Sequence, residues 1–322
     1  MSAVRRTVAA IALASTLLGA SAFAQSPAQS DKPYLTIEAL RAKYQDPAGR
    51  IANIDGAEVY YKDEGQGPAI LMVHGSASSL RTWDRIADRL KSKYRVIRYD
   101  IPGYGLSGRV SDEVAKNVQP TDIAEKLLAQ LGVNKITFVG VSSGGTLGMF
   151  LAARRPDLVE RLILSNTPSD PVKTDHLVMP ESFIKAQAEA KATGFQDMTF
   201  WNEYLSYFAG DPKRISAAKR EEYYDFNRRT PEKYPVAMVA RIGDGKEATT
   251  LMSQVKAPTL LLWGGSDHLL PESAAYRIAE YLKQAQISRV IMPDVGHYPP
   301  VEVPERFEQL LSAYIEAATP NR

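Results

Sequence analysis

One short stretch of the sequence places a serine where it can act as a nucleophile. The run Gly-Val-Ser-Ser-Gly at 140–144 follows an apolar segment, Ile136–Val139, that is typical of a buried strand. A helical pattern then covers Thr146–Arg155. A strand, a tight turn and a helix with Gly-x-Ser-x-Gly at the turn form a nucleophile elbow, which presents the hydroxyl of Ser142 at the carboxyl end of the strand.

The neighbours of this serine decide which hydroxyl is the candidate. The central serine of such a turn has a strained backbone, so Gly140 and Gly144 must lack side chains that would collide there. Ser143 is the alternative, but the same pattern centred on it would need glycine where the chain has Val141. The sequence therefore predicts Ser142 as the nucleophile. An ordinary glycine-rich turn of an α/β protein is the competing interpretation.

A serine hydroxyl needs a base to remove its proton, and histidine is the side chain best suited to this near neutral pH. His297 lies in a loop after the last predicted strand and before the last predicted helix, so it opens on the same sheet edge as the elbow. We therefore expect His297 to be the general base. Of the other histidines, we expect His74 to shape a loop, His176 to lie on the surface, and His268 to pack beside the acid or face the pocket rim.

The imidazole of the base needs a carboxylate that fixes its tautomer and stabilises the imidazolium. Asp267 follows the strand predicted at 258–263 and lies at the same sheet edge. Asp170, after the strand predicted to end near Leu164, is the alternative acid. We expect Asp267 to have this role, which gives the chain order serine, acid, histidine.

An acyl-transfer site also needs backbone N–H groups that stabilise the negative oxygen of a tetrahedral intermediate. One expected donor is the N–H of Ser143, at the start of the elbow helix. The second is the N–H of Ser76, because the run His-Gly-Ser-Ala at 74–77 directly follows the apolar strand predicted at 69–73. These two donors would complete the catalytic site.

Strands and helices alternate along most of the chain, as in a mostly parallel sheet covered on both faces. A predicted hairpin with Asp55-Gly56 at its turn opens this pattern. From about 168 to 250 the alternation stops, and amphipathic helical segments rich in aromatic residues follow. We therefore predict a core of residues 45–167 and 251–322, with a helical cap, 168–250, inserted between two core strands. Residues 25–44 are predicted to be an N-terminal leader containing a short helical pattern.

The N-terminus has the three parts of a secretory signal peptide. Arg5 and Arg6 precede an apolar run, Thr7–Leu18, and Ala22-Phe23-Ala24 is an Ala-x-Ala cleavage site. An uncleaved membrane anchor is the alternative, but the apolar run is short and small residues follow it. We therefore expect residues 1–24 to be a signal peptide, and the protein to be periplasmic or secreted without a stable membrane anchor.

Composition limits the partners of the mature chain. Cleavage after about Ala24 would remove two arginines and no acid, so the formal net charge of +2 would become zero. A neutral chain gives no electrostatic reason to expect nucleic acid or an anionic membrane surface as a partner. The chain has no cysteine, so neither a disulfide nor a lipid anchor at the cleavage site can form.

Together, these motifs resemble the α/β-hydrolase superfamily in its fold-1 branch with a helical cap, and the chain resembles an exported bacterial member. The resemblance spans residues 70–300 and rests on five stretches: His74-Gly75-Ser76, Asp100-x-Pro102-Gly103-x-Gly105-x-Ser107, Gly140-Val141-Ser142-Ser143-Gly144, Gly264-Gly265-Ser266-Asp267 and Gly296-His297. It implies an α/β-hydrolase fold with a mostly parallel eight-stranded sheet flanked by helices, in which the Asp100 loop is scaffold.

Two branches of the superfamily fit the sequence poorly. Haloalkane dehalogenases and epoxide hydrolases use an aspartate nucleophile, whereas this chain has Ser142. Proline-type aminopeptidases usually carry His-Gly-Gly-Pro-Gly, whereas residues 74–78 read His-Gly-Ser-Ala-Ser.

The resemblance implies a serine hydrolase that uses neither a cofactor nor a metal ion. We expect it to cleave a carboxylic ester or a lactone in a small-molecule substrate with an apolar part. The alternatives are a C–C bond hydrolase of a diketone, a cofactor-free perhydrolase, and a non-catalytic ligand-binding protein of the same fold. Four cap aromatics, Phe200, Trp201, Tyr204 and Phe208, are expected either to line the pocket or to form the cap core. The acyl and alcohol groups and the oligomeric state are left open.

Overall fold

An eight-stranded sheet forms the centre of the protein. We describe it from a computed structural model, which covers residues 32–108, 110–230 and 248–317. The strands are β1 (Gly49–Ile54), β2 (Ala57–Glu64), β3 (Ala69–Val73), β4 (Arg95–Tyr99), β5 (Ile136–Val141), β6 (Val159–Ser165), β7 (Thr259–Gly264) and β8 (Ile287–Met292). Their order in the sheet is β1-β2-β4-β3-β5-β6-β7-β8.

Only the N-terminal edge of the sheet is antiparallel. β1 pairs with β2, and β2 with β4, in antiparallel register, and the remaining neighbours pair in parallel. Asp55 and Gly56 connect β1 to β2, and both have positive φ (51° and 91°). A two-residue hairpin turn favours this conformation, so the predicted hairpin is confirmed, as is the mostly parallel sheet.

Helices surround the sheet and fill the long connections. They are α1 (Ile37–Tyr44), α2 (Asp84–Leu90), α3 (Asp112–Asn117), α4 (Pro120–Gln130), α5 (Ser143–Arg154), α6 (Glu181–Thr193), α7 (Met198–Phe208), α8 (Ala217–Asn227), α9 (Ala248–Met252), α10 (Glu272–Tyr281), α11 (Pro299–Glu302) and α12 (Pro304–Glu316), with short 3-10 helices at Leu80–Trp83 and Pro212–Arg214.

Both faces of the sheet are buried, as a parallel sheet requires. Successive strand residues point to opposite faces, so Leu71 belongs to one apolar cluster and its neighbour Ile70 to another. The first cluster includes Leu147 of α5, and the second includes Phe307 of α12. The helices therefore cover the two faces separately, and the carboxyl ends of the parallel strands meet at one edge.

The helix after the elbow starts directly after the nucleophile. It begins at Ser143, the expected oxyanion donor at the helix start, and so extends three residues before the helical pattern at Thr146, because β5 continues to Val141 and a single residue makes the turn. Elsewhere, the 3-10 helix Leu80–Trp83 leads directly into α2.

The cap lies between β6 and β7. Within the described residues from 168 to 230, the regular elements are α6, α7, α8 and one 3-10 helix, which agrees with the predicted helical insertion. Most of the aromatic residues of this region form an apolar cluster that also includes Ala77 and Tyr298 from loops of the core. The cap core therefore continues onto the core domain, at the edge where the strands end.

The segment 32–44, which we call the N-terminal strap, joins the cap to the core. The N–H of Leu35 donates to the carbonyl of Arg228 (2.8 Å). Leu40 of α1 is fully buried in a cluster that contains Phe226 from the cap and Leu106 from the core. The strap thus contributes side chains to both parts of the molecule.

Four predicted segments lie wholly or partly outside the described residues. The parts outside are the signal peptide (1–24), the first part of the leader (25–31), residues 231–247 of the cap and the last residues of the core (318–322). Within the ranges that the structure does describe, none of the helices combines the length and the apolar character needed to span a membrane.

Candidate active site

Ser142 sits in a strained turn between β5 and α5. Its φ of 52° and ψ of −131° lie in a region that residues other than glycine rarely adopt. A Cβ atom on Gly140 would lie 2.6 Å from the nitrogen of Gly145, and one on Gly144 would lie 2.3 Å from the carbonyl oxygen of His74. The absence of side chains at 140 and 144 is therefore required, as the sequence predicted.

The three predicted catalytic side chains meet at the edge of the sheet. His297 Nδ1 lies 2.7 Å from Asp267 Oδ2, and His297 Nε2 lies 3.3 Å from Ser142 Oγ. The carboxylate accepts the Nδ1–H, which leaves Nε2 free to accept the proton of the Ser142 hydroxyl. Asp267 and His297 are 3% and 5% exposed, so little water competes for this relay.

Four described hydrogen bonds hold the carboxylate of Asp267 in place. Oδ1 accepts the backbone N–H groups of Leu269 (2.8 Å) and Leu270 (3.0 Å). Oδ2 accepts Nδ2–H of Asn166 (2.7 Å) in addition to His297. A carboxylate with donors on both oxygens is fixed in orientation, and it fixes the imidazole in turn.

Asn166 is a residue of the site that the sequence analysis missed. It follows β6, is fully buried and has a φ of 41°. Its Oδ1 accepts the N–H of Gly264 (2.9 Å), and its Nδ2 lies 3.3 Å from the carbonyl of Gly264. The amide therefore ties the end of β7 to the acid. A polar residue directly after a strand at this edge was the available signal.

Asp170, the alternative acid, lies away from the imidazole. It is exposed, and its Oδ1 accepts the hydroxyl of Tyr281 (2.8 Å) on α10. Its Oδ2 accepts the hydroxyl of Ser169 (3.0 Å). The structure therefore brings Asp267, and not Asp170, to His297.

The two residues that carry the predicted oxyanion donors, Ser76 and Ser143, lie side by side. Ser143 is the first residue of α5, where an N–H has no partner within the helix. Ser76 Oγ lies 3.0 Å from Ser143 Oγ. A Cβ atom on Gly75 would lie 2.8 Å from Ser142 Cβ, so the loop of Ser76 runs directly against the elbow. This close approach leaves the backbone at 75 and 76 next to the nucleophile.

His74 connects the loop that carries Ser76 to the loop after β4. It is fully buried, its Nδ1 lies 2.7 Å from the carbonyl of Gly75, and its Nε2 accepts the N–H of Ile101 (3.0 Å). Burial lowers the pKa of His74 to about 4, so the ring is neutral at neutral pH. Its neutral ring and both ring contacts fit the predicted loop-shaping role.

Asp100 organises the loop that follows β4. Its Oδ1 accepts the N–H of Leu80 (2.6 Å), and its Oδ2 accepts the N–H of Leu106 (2.7 Å). Burial raises the pKa of Asp100 to about 7. The described hydrogen bonds of the carboxyl group therefore join two backbone N–H groups, one in the 3-10 helix Leu80–Trp83 and one in the loop after β4, which fits a scaffold residue.

The remaining histidines lie at the periphery of the site. The ring of His268 packs edge-on against Tyr207 (4.8 Å between centroids). His176 is exposed, and its Nε2 lies 2.9 Å from the carbonyl of His268. His268 also lines an open cavity of about 330 Å³ between the cap and the acid loop; Pro180, Glu203, Ser206, Tyr207, Ala209, Gly210 and Ser266 complete its lining.

Cap aromatics reach the imidazole. The N–H of His297 donates to the carbonyl of Phe208 (2.8 Å), and the two rings lie 6.4 Å apart. Phe200, Trp201 and Tyr204 are buried and pack on one another, with ring centroids of neighbouring pairs 5.2 to 6.0 Å apart. These three side chains are thus cap core, while Phe208 connects the cap core to the catalytic loop.

Within the described residues, no three histidine, cysteine, aspartate or glutamate side chains are grouped so that they could hold a metal ion.

A parallel sheet whose elbow serine bonds to a histidine–aspartate pair defines an α/β hydrolase. The chain belongs to the alpha/beta hydrolase fold family, whose model matches residues 68–304. It is 25% identical over 262 residues to a pimeloyl-[acyl-carrier protein] methyl ester esterase of Nitrosomonas europaea, covering 80% of this chain and 99% of the relative. It is also 25% identical over 289 residues to a 2-hydroxymuconate semialdehyde hydrolase of Pseudomonas putida, covering 87% and 98%.

A solved structure gives the same result for the fold. The enol-lactonase from Burkholderia xenovorans LB400 superposes with a TM-score of 0.66 at 20% identity, covering 83% of this chain and all of that one. The protein is therefore a hydrolase-family enzyme whose relatives act on different bonds.

Proposed function

We propose that the protein is a serine hydrolase that cleaves a carboxylic ester or lactone through an acyl-enzyme. Ser142 is the nucleophile, His297 the general base and acid, and Asp267 the carboxylate that orients His297. The observation that carries this proposal is the continuous hydrogen-bond relay from Ser142 Oγ through the imidazole to Asp267. Such a relay is the arrangement that turns an unreactive alcohol into a nucleophile.

In the first half of the reaction, Ser142 Oγ attacks the carbonyl carbon while His297 Nε2 takes its proton. The carbonyl oxygen becomes negative, and the N–H groups of Ser76 and Ser143 stabilise it. The bond from carbon to the leaving oxygen then breaks, and His297 returns its proton to that oxygen. For an ester the alcohol departs; for a lactone it stays attached to the acyl group.

In the second half, water takes the place of the alcohol. His297 Nε2 removes a proton from the water as it attacks the acyl carbon, and the second tetrahedral intermediate uses the same two N–H donors. The bond to Ser142 Oγ breaks, the serine recovers its proton from His297, and a carboxylic acid is released. Asp267 keeps the imidazole oriented throughout, because four described donors fix its own carboxylate in place.

Hydrolysis of a C–C bond in a diketone-type substrate is the second candidate. The similarity to a 2-hydroxymuconate semialdehyde hydrolase favours it. The similarity to a methyl ester esterase supports the ester proposal equally. The signal-peptide pattern at the N-terminus favours the ester proposal, because C–C hydrolases of aromatic breakdown are expected inside the cell.

We further propose the setting in which the enzyme works. The partner is a small molecule with an apolar part, seated against the aromatic cap, and nucleic acid is not a partner. The signal-peptide pattern of residues 1–24 supports a periplasmic or secreted protein that is not anchored in the membrane.

The decisive experiment compares wild-type protein with Ser142→Ala. We expect the variant to lose labelling by a fluorophosphonate and to lose at least about 10⁴-fold in kcat for p-nitrophenyl butyrate. Ser143→Ala keeps the backbone N–H and should retain labelling, which separates the two serines of the elbow. Ser253→Ala, on a surface helix end, is the control for substitution of an ordinary serine.

Each other function has its own outcome in this experiment. Retained turnover by Ser142→Ala refutes the assignment of the nucleophile. Wild-type protein that is folded but inert to the fluorophosphonate indicates a non-catalytic ligand-binding protein. Faster cleavage of a vinylogous diketone than of short esters indicates the C–C hydrolase. Peroxide-dependent peracid formation that exceeds hydrolysis indicates a perhydrolase.

A further inference from the structure

Glu302 is a buried carboxylate that the proposed mechanism does not use. It is the last residue of α11 and is 6% exposed. Its Oε1 accepts the N–H groups of Gly296 (3.0 Å) and Tyr298 (3.3 Å). Its Oε2 accepts the N–H groups of Gly210 (2.9 Å) and Asp211 (3.4 Å). One side chain therefore binds four backbone donors from two separate parts of the chain.

The first pair of donors flanks the catalytic histidine. Gly296 and Tyr298 are the neighbours of His297, whose own N–H donates to the carbonyl of Phe208 at the end of α7. Three consecutive N–H groups of the histidine loop are thus held, two by Glu302 and one by the cap. Within the described residues, these three N–H groups make no other hydrogen bond.

The second pair of donors belongs to the cap. Gly210 and Asp211 follow α7, and the two loops touch so closely that a Cβ atom on Gly210 would lie 2.6 Å from the nitrogen of Gly296. Arg214, three residues after Asp211, reinforces the contact because it donates to the carbonyl of Asp294 (2.7 Å). The end of α7 and the histidine loop are therefore packed as one unit, with Glu302 between them.

The chemistry of a carboxylate fits this position. Burial raises the pKa of Glu302, and the four N–H bonds oppose that shift because they favour the charged form. A glutamine of the same size would present an NH₂ group to one pair of N–H groups, and two donors cannot bond to each other. Only a group with two acceptor oxygens satisfies both pairs.

We propose that Glu302 is a positioning residue that holds His297 within reach of Ser142 by clamping the histidine loop to the end of cap helix α7. The cap then determines catalytic geometry as well as the shape of the pocket. This inference rests on the proposed function, in which His297 moves protons to and from Ser142. It predicts that a change at Glu302 alters the chemical step without touching substrate.

The test compares Glu302→Gln with Glu305→Gln, using full-length mature protein and p-nitrophenyl butyrate. Glu305 is half-exposed and pairs with Arg85 at the surface, so its glutamine variant should behave as wild type. End-point labelling with a fluorophosphonate counts competent serines, and kcat is expressed per labelled serine. We expect Glu302→Gln to lose about 10- to 100-fold in this kcat, with KM within about threefold of wild type.

A merely structural role predicts a different result, in which fewer serines are labelled but each turns over at the wild-type rate. That result, or a kcat per labelled serine within about twofold of wild type, overturns the proposal. If Glu302→Gln does not fold, Gly210→Ala perturbs the same contact from the cap side and must show the same loss of kcat. A wild-type protein that never reacts with the fluorophosphonate refutes the proposed function instead, so the two failures are distinguishable.

Discussion

Replacing Asn166 by alanine tests whether the acid of the site depends on its buried amide partner. The substitution removes the Nδ2–H bond to Asp267 Oδ2 (2.7 Å) and leaves the N–H of Gly264 without its acceptor at Asn166 Oδ1 (2.9 Å). It also places alanine at a φ of 41°, which asparagine tolerates better.

These losses set the expected magnitudes. An unsatisfied buried N–H costs about 1–3 kcal/mol, and the left-handed backbone adds about 1 kcal/mol, so Asn166→Ala should lower the free energy of unfolding by about 2–4 kcal/mol. A hydrogen bond to a charged group contributes about 1.5–3 kcal/mol. Losing it from Asp267 should therefore slow fluorophosphonate labelling of Ser142 by about 10- to 100-fold.

The assay pairs urea unfolding with the second-order rate constant of labelling. Leu311→Ala is the matched control, because Leu311 of α12 is fully buried in the same apolar cluster as Phe307 and has no contact with the catalytic side chains among the described hydrogen bonds. Its truncation costs about 2–5 kcal/mol. We expect this control to label at the wild-type rate under native conditions. Labelling of Asn166→Ala within about twofold of wild type would refute the role assigned to the amide.

Two further predictions concern the elbow and the buried histidine. Gly144→Ala puts a methyl group 2.3 Å from the carbonyl oxygen of His74. It should therefore abolish labelling by the fluorophosphonate and lower the free energy of unfolding in urea by about 1–3 kcal/mol. Gly132→Ala is the control: it has open space around it and a φ of 68°, so it should lower stability but keep labelling. Burial lowers the pKa of His74 to about 4, so between about pH 6.5 and 4 the unfolded chain binds a proton that the native state does not. The contribution of His74 to stability should therefore fall by up to about 3 kcal/mol as the pH drops through this window, and His74→Gln should remove that fall. Burial raises the pKa of Asp100 to about 7, so the contribution of Asp100 to stability changes with pH in the opposite direction. The free energies of unfolding of wild type and His74→Gln must therefore be compared at each pH. Curves of unfolding free energy against pH that run parallel for the two proteins contradict the prediction.

The sequence predicted those parts of the structure that depend on local patterns. The apolar strand Ala69–Val73 and the hairpin turn at Asp55-Gly56 follow from composition and turn chemistry over a few residues. The convergence of Ser142, Asp267 and His297 also followed, because each lies directly after a predicted parallel strand and such strands end at one edge.

What the sequence missed depends on contacts between distant segments. Asn166 bonds to a residue 101 positions away, and Glu302 bonds to Gly210, 92 positions away. Neither pairing follows from the periodicity around either residue.

The N-terminal strap has a consequence for the order in which the chain folds. Leu35 accepts a hydrogen bond from Thr230, 195 positions later. The first residues of the strap therefore cannot form this contact until most of the polypeptide has been synthesised. Such a distant pairing adds to the slow, non-local part of folding.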